Sequence, residues 1–255
     1  GPAMARWMAE GDPGMNLWAF DVLRFGDHHA GPRYLYERAI EAYANYYTVA
    51  WPGHEAHSAR GGRRSPLYDT LKAQGAVYGS KFGWERPNWF APKGVLRDET
   101  PSFGRANWFD QVGAEHRAVR ERAALVDMTS FTKAEVSGPG AVALMQKLCA
   151  GNLDKPVGSI AYTQMLNERG GIEADVTITR LAEDRYYFVT GIGFGVHDLA
   201  HLRRHAPRDG SVTIGDVTSS RAVVTLCGPR ARDVLQSVTD DDVSNAALPY
   251  MRARE

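Results

Sequence analysis

Gly-Pro-Gly-Ala-Val-Ala-Leu-Met-Gln, residues 138–146, returns 90 positions later as Gly-Pro-Arg-Ala-Arg-Asp-Val-Leu-Gln, residues 228–236. A strand-like run precedes each copy, at 133–136 and 223–226, so the repeated unit is predicted to be a strand, a corner and a helix. Glycine permits the tight corner, and proline is expected in the first helical turn, where its missing N–H costs no hydrogen bond. Fewer than 30 residues follow the second copy, so we expect the chain to end within a domain.

The composition is that of a globular protein. The 255 residues are 44% hydrophobic and carry no net charge, which suffices for one or two domains with a good core. The balanced charge gives no electrostatic basis for binding nucleic acid or an anionic membrane. No apolar run approaches the roughly 20 residues that span a bilayer, and no signal segment opens the chain, so a soluble, cytoplasmic protein is predicted. Residues 1–4 resemble the scar of a cleaved vector-encoded tag.

Periodicity along the chain predicts an α+β fold with mostly antiparallel strands. Apolar and aromatic side chains recur at three- and four-residue intervals over 32–47, which predicts an amphipathic helix that docks on another element. Further helices are predicted at 110–124 and 195–205, and residues 92–103 read as a polar linker. Strands are predicted at 126–136 (one or two), 160–166, 176–181, 186–189 and 212–217, with a hairpin turn at 182–184.

The densest polar and glycine-containing segment of the second half is residues 167–176. A glycine pair ends one strand there, and Asp175 opens the next. Alternation places Asp175, Thr177 and Thr179 on one face of that strand and Val176 on the other. Asp175 therefore heads a polar face, either as a residue that caps a turn or finishes a hairpin, or as a functional carboxylate.

A second concentrated segment, residues 78–90, holds large aromatic side chains with Lys81, Glu85 and Arg86 between them. Such a segment forms either a binding surface or a packed seam between domains, because aromatic residues and arginine are the types enriched in buried interfaces. Packing is the commoner outcome for aromatic side chains.

Histidines and cysteines do not predict a metal site. His197, His201 and His205 are spaced to share one helix face, but no convergent set of further ligands accompanies them, which favours a solvated or partly buried helix face. Cys149 and Cys227 are predicted to be buried thiols. No Gly-x-Gly-x-x-Gly follows a strand, and neither a phosphate loop nor a Gly-x-Ser-x-Gly motif is present.

Several motifs carry a resemblance to a known family. Residues 76–90, Ala-Val-Tyr-Gly-Ser-Lys-Phe-Gly-Trp-Glu-Arg-Pro-Asn-Trp-Phe, resemble a signature of the dimethylglycine and sarcosine dehydrogenases, and residues 17–25 and 64–71 are similar to that family as well. Residues 127–131, 137–139 and 170–175 resemble the N-terminal half of the glycine-cleavage T-protein (aminomethyltransferase) fold. The resemblance covers nearly the whole chain.

The resemblance implies a function and a set of site residues. In that family an FAD domain oxidises an N-methyl amine, and the T-protein-like domain transfers the one-carbon unit to tetrahydrofolate as 5,10-methylenetetrahydrofolate. By position, Asp175 matches a catalytic carboxylate near the folate, Tyr162 matches a residue lining the folate cavity, and Phe131 and Thr190 are further matches.

The resemblance also implies a division of the chain. Residues 5–25 would be the end of an FAD domain, 26–100 a central linker domain, and 101–255 an incomplete folate-binding domain. We then expect half a pterin pocket and weak or absent catalysis in this chain alone, with a flavoprotein subunit or a second copy as possible partner. The alternative is a non-catalytic scaffold or binding subunit that associates with a flavoprotein or with itself through the aromatic surface around residues 84–90.

Overall fold

The computed structural model describes residues 1–255. Its helices are α1 (Pro2–Glu10), α2 (Pro32–Ala44), α3 (Tyr68–Ala73), α4 (Phe109–Glu121), α5 (Ala141–Leu148), α6 (Gly195–His205) and α7 (Ala231–Gln236), with short 3-10 turns at Trp18–Phe20, Val22–Arg24 and Asp27–Ala30. The strands are β1 (Ala76–Lys81), β2 (Trp84–Phe90), β3 (Ala124–Asp127), β4 (Thr132–Ser137), β5 (Ile160–Leu166), β6 (Ile172–Ala182), β7 (Arg185–Thr190), β8 (Thr213–Asp216) and β9 (Val224–Cys227). None of the helices has both the length and the apolar character required to cross a membrane.

The strands form one five-stranded sheet and two separate pairs. The main sheet has the order β5-β6-β7-β4-β8, and every neighbouring pair in it is antiparallel. β1 pairs with β2, and β3 pairs with β9, again antiparallel. The predicted α+β fold with antiparallel strands is confirmed.

The core lies between one face of the main sheet and helices α5 and α6. Seventeen buried residues form a single cluster, which includes Met145 of α5, Leu202 of α6 and Val176 and Phe188 of the sheet. In β6 the buried positions alternate with half-buried or exposed ones, as expected for a strand with one face on a core. The opposite face of the sheet is therefore free for polar side chains.

Both glycine-proline corners have the same geometry, and it differs from the prediction. The Ala141 N–H donates to the Gly138 carbonyl at 2.9 Å, and the Ala231 N–H donates to the Gly228 carbonyl at 3.0 Å, so each proline is the second residue of a β-turn. The helices begin only at the alanines. The expectation of proline in the first helical turn is wrong, because the fixed φ of proline serves the turn that precedes the helix. Both glycines have positive φ, 114° and 109°.

The two copies of the repeat exchange strands. β4 pairs with β8 and β9 pairs with β3, so the second strand of each copy lies beside the first strand of the other. The turns correspond too, since the Thr129 N–H donates to Asp127 at 3.0 Å and the Thr218 N–H donates to Asp216 at 2.9 Å. The repeated unit is therefore longer than the sequence analysis recognises, and its two copies interlock.

Most predicted elements form, with shifted ends. The strand at 160–166, the helix at 195–205 and the turn at 182–184 lie where they were predicted, whereas the helix predicted at 32–47 ends at Ala44. The segment 126–136 contributes to two strands that belong to different sheets. β6 begins at Ile172, so Asp175 is its fourth residue rather than its first.

Helix α2 does not dock on this chain through its predicted stripe. Leu35, Tyr36, Ile40 and Tyr43 are all between 54% and 85% exposed. The helix is instead attached by Glu41, whose carboxylate accepts hydrogen bonds from the backbone N–H groups of residues 57 and 58 at 2.7 and 2.8 Å.

Candidate functional site

At strands β5 and β6, the face of the main sheet opposite α5 and α6 is polar and open. Strand pairing sets Gln164 opposite Asp175 and Tyr162 opposite Thr177. Directly opposed residues share a face, so these four side chains lie together on the side away from buried Val176. The predicted alternation of β6 is confirmed, and it brings Asp175 and Tyr162 to the same surface.

Asp175 and Tyr162 form a hydrogen-bonded pair. The Tyr162 hydroxyl donates to Asp175 Oδ2 at 2.7 Å, and the Gln164 amide donates to Oδ1 at 3.4 Å. The hydrogen bond to the carboxylate raises the pKa of Tyr162, so the phenol stays a donor. The carboxylate is exposed and keeps lone pairs for further donors, while the Tyr162 ring, 63% exposed, offers a flat surface. This pair can accept N–H donors and stack on a planar ligand.

The structure separates the other two predicted site residues from this pair. Thr190 pairs with Thr132 on the core face of the sheet, where it is buried and its hydroxyl donates to Asp198 at 2.6 Å. Phe131 is half-buried in the turn before β4, two strands away from β6. Side chains at adjacent positions of a strand point to opposite faces of the sheet. Thr190 points to the core face and Asp175 to the other face, so the two side chains cannot share a surface.

Sequence reasoning missed a cluster of ionisable groups on α6. The carboxylate of Asp198 is buried and lies 2.9 Å from His197 Nδ1, and Glu173 lies 3.3 Å from His197 Nε2. The hydrogen bond that His197 donates to the Asp198 carboxylate, opposed by burial, raises the pKa of His197. The ring of Trp18 packs edge-on against His197, with centroids 5.0 Å apart. The only sequence signal was the acidic residue beside the histidine.

Sequence reasoning also missed Lys133, which is completely buried. Its ammonium donates to the carbonyls of Thr129 at 2.6 Å and Arg221 at 2.8 Å. Burial and the nearby Arg63 lower the pKa of Lys133 to about 8. Because Thr129 and Arg221 belong to different copies of the repeat, Lys133 ties the copies together.

The aromatic segment forms the β1–β2 hairpin, and its inner side chains are packed. Trp84, Glu85 and Trp89 are each at most 5% exposed. Glu85 is held by Arg60 at 2.6 Å and by the Gly61 N–H at 2.7 Å. The packing interpretation therefore applies to these inner side chains, whereas other side chains of the hairpin line a large cleft and the binding interpretation stays a prediction.

The two cysteines differ from each other. Cys149 is buried as predicted, and burial raises the pKa of its thiol to about 12. Cys227 is only partly buried, so the prediction is wrong for that residue. Cys227 lies in the two-stranded β3–β9 pair, outside the buried core cluster that contains Cys149.

Comparison with known families divides the chain into two matched ranges. Residues 67–255 match the GCVT N-terminal domain, and residues 10–65 match the FAD dependent oxidoreductase central domain. The ranges meet between residues 65 and 67, whereas the sequence alone suggests a boundary near residue 100. The division into folding units stays a prediction.

Several known proteins are similar to this chain. It is 37% identical over its whole length to 4-methylaminobutanoate oxidase (formaldehyde-forming) of Paenarthrobacter nicotinovorans, covering 31% of that protein, and 32% identical to human mitochondrial sarcosine dehydrogenase, with 98% of the chain and 32% of the relative covered. It is 36% identical to a mitochondrial pyruvate dehydrogenase phosphatase regulatory subunit of Mus musculus, again with the whole chain and 30% of the relative covered. The chain spans about a third of the length of these curated relatives.

A solved structure supports the same assignment. The glycine cleavage system aminomethyltransferase T from Bartonella henselae superimposes with a TM-score of 0.56 at 30% identity, over 69% of this chain and 43% of that protein. The predicted resemblance to sarcosine and dimethylglycine dehydrogenases and to the T-protein fold is confirmed. Since the GCVT match alone extends over residues 67–255, the chain belongs to the GCVT N-terminal domain family.

Proposed function

We propose that this chain binds tetrahydrofolate on the open face of its main sheet and takes part in one-carbon transfer from an N-methyl amine such as dimethylglycine or sarcosine. The single observation that carries the proposal is the Tyr162–Asp175 pair, joined at 2.7 Å on an exposed sheet surface. Membership of the GCVT family and the names of the oxidase and dehydrogenase relatives give the class of reaction.

The donor and acceptor set suits a reduced pterin. A pterin is planar and presents several N–H groups along its edge, which a carboxylate with free lone pairs can accept. Asp175 supplies those lone pairs, and Tyr162 supplies a ring on which the pterin can lie. Tetrahydrofolate would supply the nitrogen atoms that receive the one-carbon unit.

Asp175 would act at the proton that leaves a folate nitrogen. A general base must lie within hydrogen-bond reach of the proton that it takes, and Asp175 is accessible to a ligand on this face. Tyr162 would act as a positioning residue, because its hydroxyl fixes one carboxylate oxygen and leaves the other towards the ligand. Thr190, which faces the core, has no part in this site, and a role for Phe131 stays a prediction.

The residues present do not fit FAD. The connection from a strand to a helix that is richest in glycine runs from Gly191 to Gly195, between β7 and α6. A β-carbon on Gly195 would meet Thr132 Oγ1 at 2.0 Å, and one on Gly193 would meet the Phe82 ring at 3.1 Å. Protein side chains fill the space that a pyrophosphate needs at such a loop.

Chemical shift mapping of the isotope-labelled chain with tetrahydrofolate tests the proposal. Because the sheet face covers the ligand on one side only, we expect weak binding, with the largest shifts at Tyr162, Gln164 and Asp175. Asp175→Asn should weaken binding at least roughly tenfold, about 1.4 kcal/mol, through loss of the charged acceptor. Shifts confined to another surface would contradict the proposal.

Asp184→Asn is the matched control. Asp184 lies in the turn at the far end of β6 and makes no side-chain hydrogen bond or ion pair. The control should bind folate as the unmodified chain does. Equal loss in both variants would mean that net charge, rather than the Asp175 site, governs binding.

A non-catalytic binding subunit is the second candidate function. Two observations favour it: the aromatic stripe of α2 is exposed, and one relative is named a regulatory subunit. Large exposed apolar patches mark interaction surfaces. Light scattering across a concentration series would show self-association, and Tyr36→Ser with Tyr43→Ser should abolish it. If the chain is a monomer at every concentration, self-association is excluded and a flavoprotein is the remaining partner for a binding subunit.

A further inference from the structure

A large cleft of the molecule lies away from the proposed folate surface. It has a volume of about 1650 Å³ and is bounded by the β1–β2 hairpin, by α3 and by the loops around residues 49–57 and 97–108. None of the residues of the Tyr162–Asp175 surface lines it. The cleft therefore requires an explanation of its own.

Two cations lie against a single buried ring at one end of this cleft, and a third lies beside the helix that carries the ring. The Arg64 guanidinium lies 4.5 Å from the centroid of the Tyr68 ring, and the Lys72 ammonium lies 5.5 Å from the same centroid. Arg97 donates to the Lys72 carbonyl at 3.3 Å. The charges of Arg64 and Lys72 are thus no more than about 10 Å apart, a distance comparable with the Debye length of about 8 Å at physiological salt.

None of these three cations has an acidic partner. No carboxylate lies within 4.0 Å of Arg64, Lys72 or Arg97. Arg60, which lines the same cleft, shows the contrast, since Glu85 contacts it at 2.6 Å. Although burial alone would raise the pKa of Glu85, its hydrogen bonds to Arg60 and Gly61 hold that pKa below its usual value. The buried carboxylate of Glu85 is therefore already paired, and the other acidic residues that line the cleft, Glu55, Asp98 and Glu99, form no ion pair with these three cations.

The rest of the cleft offers flat and apolar surface. Trp51 and Phe103, from the two bordering loops, stack with centroids 4.8 Å apart. Trp89 forms part of the wall with only 2% exposure, and its indole N–H has no hydrogen-bond acceptor.

We propose that Arg64, Lys72 and Arg97 form a binding site for a small molecule with at least two anionic groups, whose flat or apolar part lies in the aromatic cleft. The anionic groups are carboxylates or phosphates, because both match convergent guanidinium and ammonium donors. The site is independent of the folate proposal, since it shares no residue with the Tyr162–Asp175 surface.

Titration calorimetry of the full chain with pyrophosphate and with citrate, at constant ionic strength, tests the site. Tighter binding of pyrophosphate identifies a phosphate-bearing ligand, and tighter binding of citrate identifies a carboxylate-bearing one. In the double variant Arg64→Gln with Lys72→Gln, the affinity for the tighter anion should fall roughly tenfold or more. Failure of both anions to bind the unmodified chain overturns the proposal.

Arg105→Gln is the matched control. Arg105 also stacks on an aromatic ring, with its guanidinium 4.7 Å from the Phe109 centroid, and it lies outside the cleft. The Arg105→Gln variant should bind the anion with the affinity of the unmodified chain. An equal loss of affinity in this control would overturn the site in favour of general charge attraction. The ligand-free double variant should melt at or above the temperature of the unmodified chain, because repulsion is relieved. A clear fall in the melting temperature would show that groups of the protein itself are stabilised by these charges, which also overturns the proposal.

Discussion

Replacing Lys133 with methionine should remove a gain in stability that the unmodified protein makes as the pH rises from 7 to 9. The Lys133 ammonium is completely buried and donates to the carbonyls of Thr129 and Arg221. Desolvation by burial and repulsion from Arg63 disfavour its charged form, so the folded protein releases this proton at a pKa of about 8 rather than 10.5. The neutral amine can still donate to both carbonyls.

The sign follows from the difference in bound protons. Between pH 8 and 10.5 the unfolded chain holds the Lys133 proton and the folded chain does not, so the free energy of unfolding rises with pH. The lowered pKa corresponds to a gain of about 1.3 kcal/mol between pH 7 and 9 and about 3 kcal/mol by pH 10.5. The first interval is the cleaner one, because the buried Cys149 thiol reduces stability above pH 9, where the unfolded chain ionises it.

Urea unfolding at several pH values from 7 to 9 gives the measurement. Lys133→Met should lack the rise of about 1.3 kcal/mol, whatever its absolute stability. Lys133→Gln keeps an amide donor for one carbonyl and should also show no rise in stability with pH. Lys147→Met changes an exposed position of α5 and should keep the rise. Parallel pH profiles of the unmodified protein and Lys133→Met would refute the assignment of this proton to Lys133.

Glu41→Gln should destabilise the protein at pH 7 by up to about 3 kcal/mol, because hydrogen bonds to the Glu41 carboxylate outweigh burial and lower its pKa to about 2. Urea unfolding should show this difference in stability from the unmodified protein vanishing as the pH falls from 4.5 to 2. Gly138→Ala should lower the free energy of unfolding by at least about 1–3 kcal/mol, since φ is 114° and a main-chain oxygen lies 2.5 Å from the new β-carbon. In the same urea unfolding experiment, Gly215→Ala should be nearly neutral, because its new β-carbon lies in open space. At pH 8 a thiol reagent should label Cys227 well before Cys149, and reversed order under native conditions would contradict the burial.

How much of the fold is predictable from sequence depends on whether a feature is local. The strand at 160–166 and the helix at 195–205 carry their own periodicity, and both form where they were predicted. The pairing of β3 with β9 joins residues about 100 positions apart. No local pattern reports such a pairing, although Asp-x-Thr-Ser at 127–130 and again at 216–219 is a trace of it.

The candidate site shows the same limit. Alternation in β6 correctly set Asp175 on the polar face, and the register of β5 then brought Tyr162 to it. Thr190 was carried over from the family resemblance alone, and the alternation of β7 turns it to the core. Lys133 escaped notice because a lysine in a strand is ordinarily a solvated residue, and its burial depends on a loop 88 positions away.

The exchange of strands explains why the repeat yields one interlocked sheet system rather than two consecutive units. β8, the first strand of the second copy, forms one edge of the sheet whose β6 strand carries Asp175, so this sheet contains strands of both copies. Equivalent positions then meet different surroundings: Leu144 is 3% exposed, whereas Val234, its counterpart in the second copy, is 44% exposed. Lys133 lies where the copies cross, and its counterpart is Val223, which has no ammonium to donate. The buried charge therefore breaks the symmetry of the repeat at the junction that supports the site.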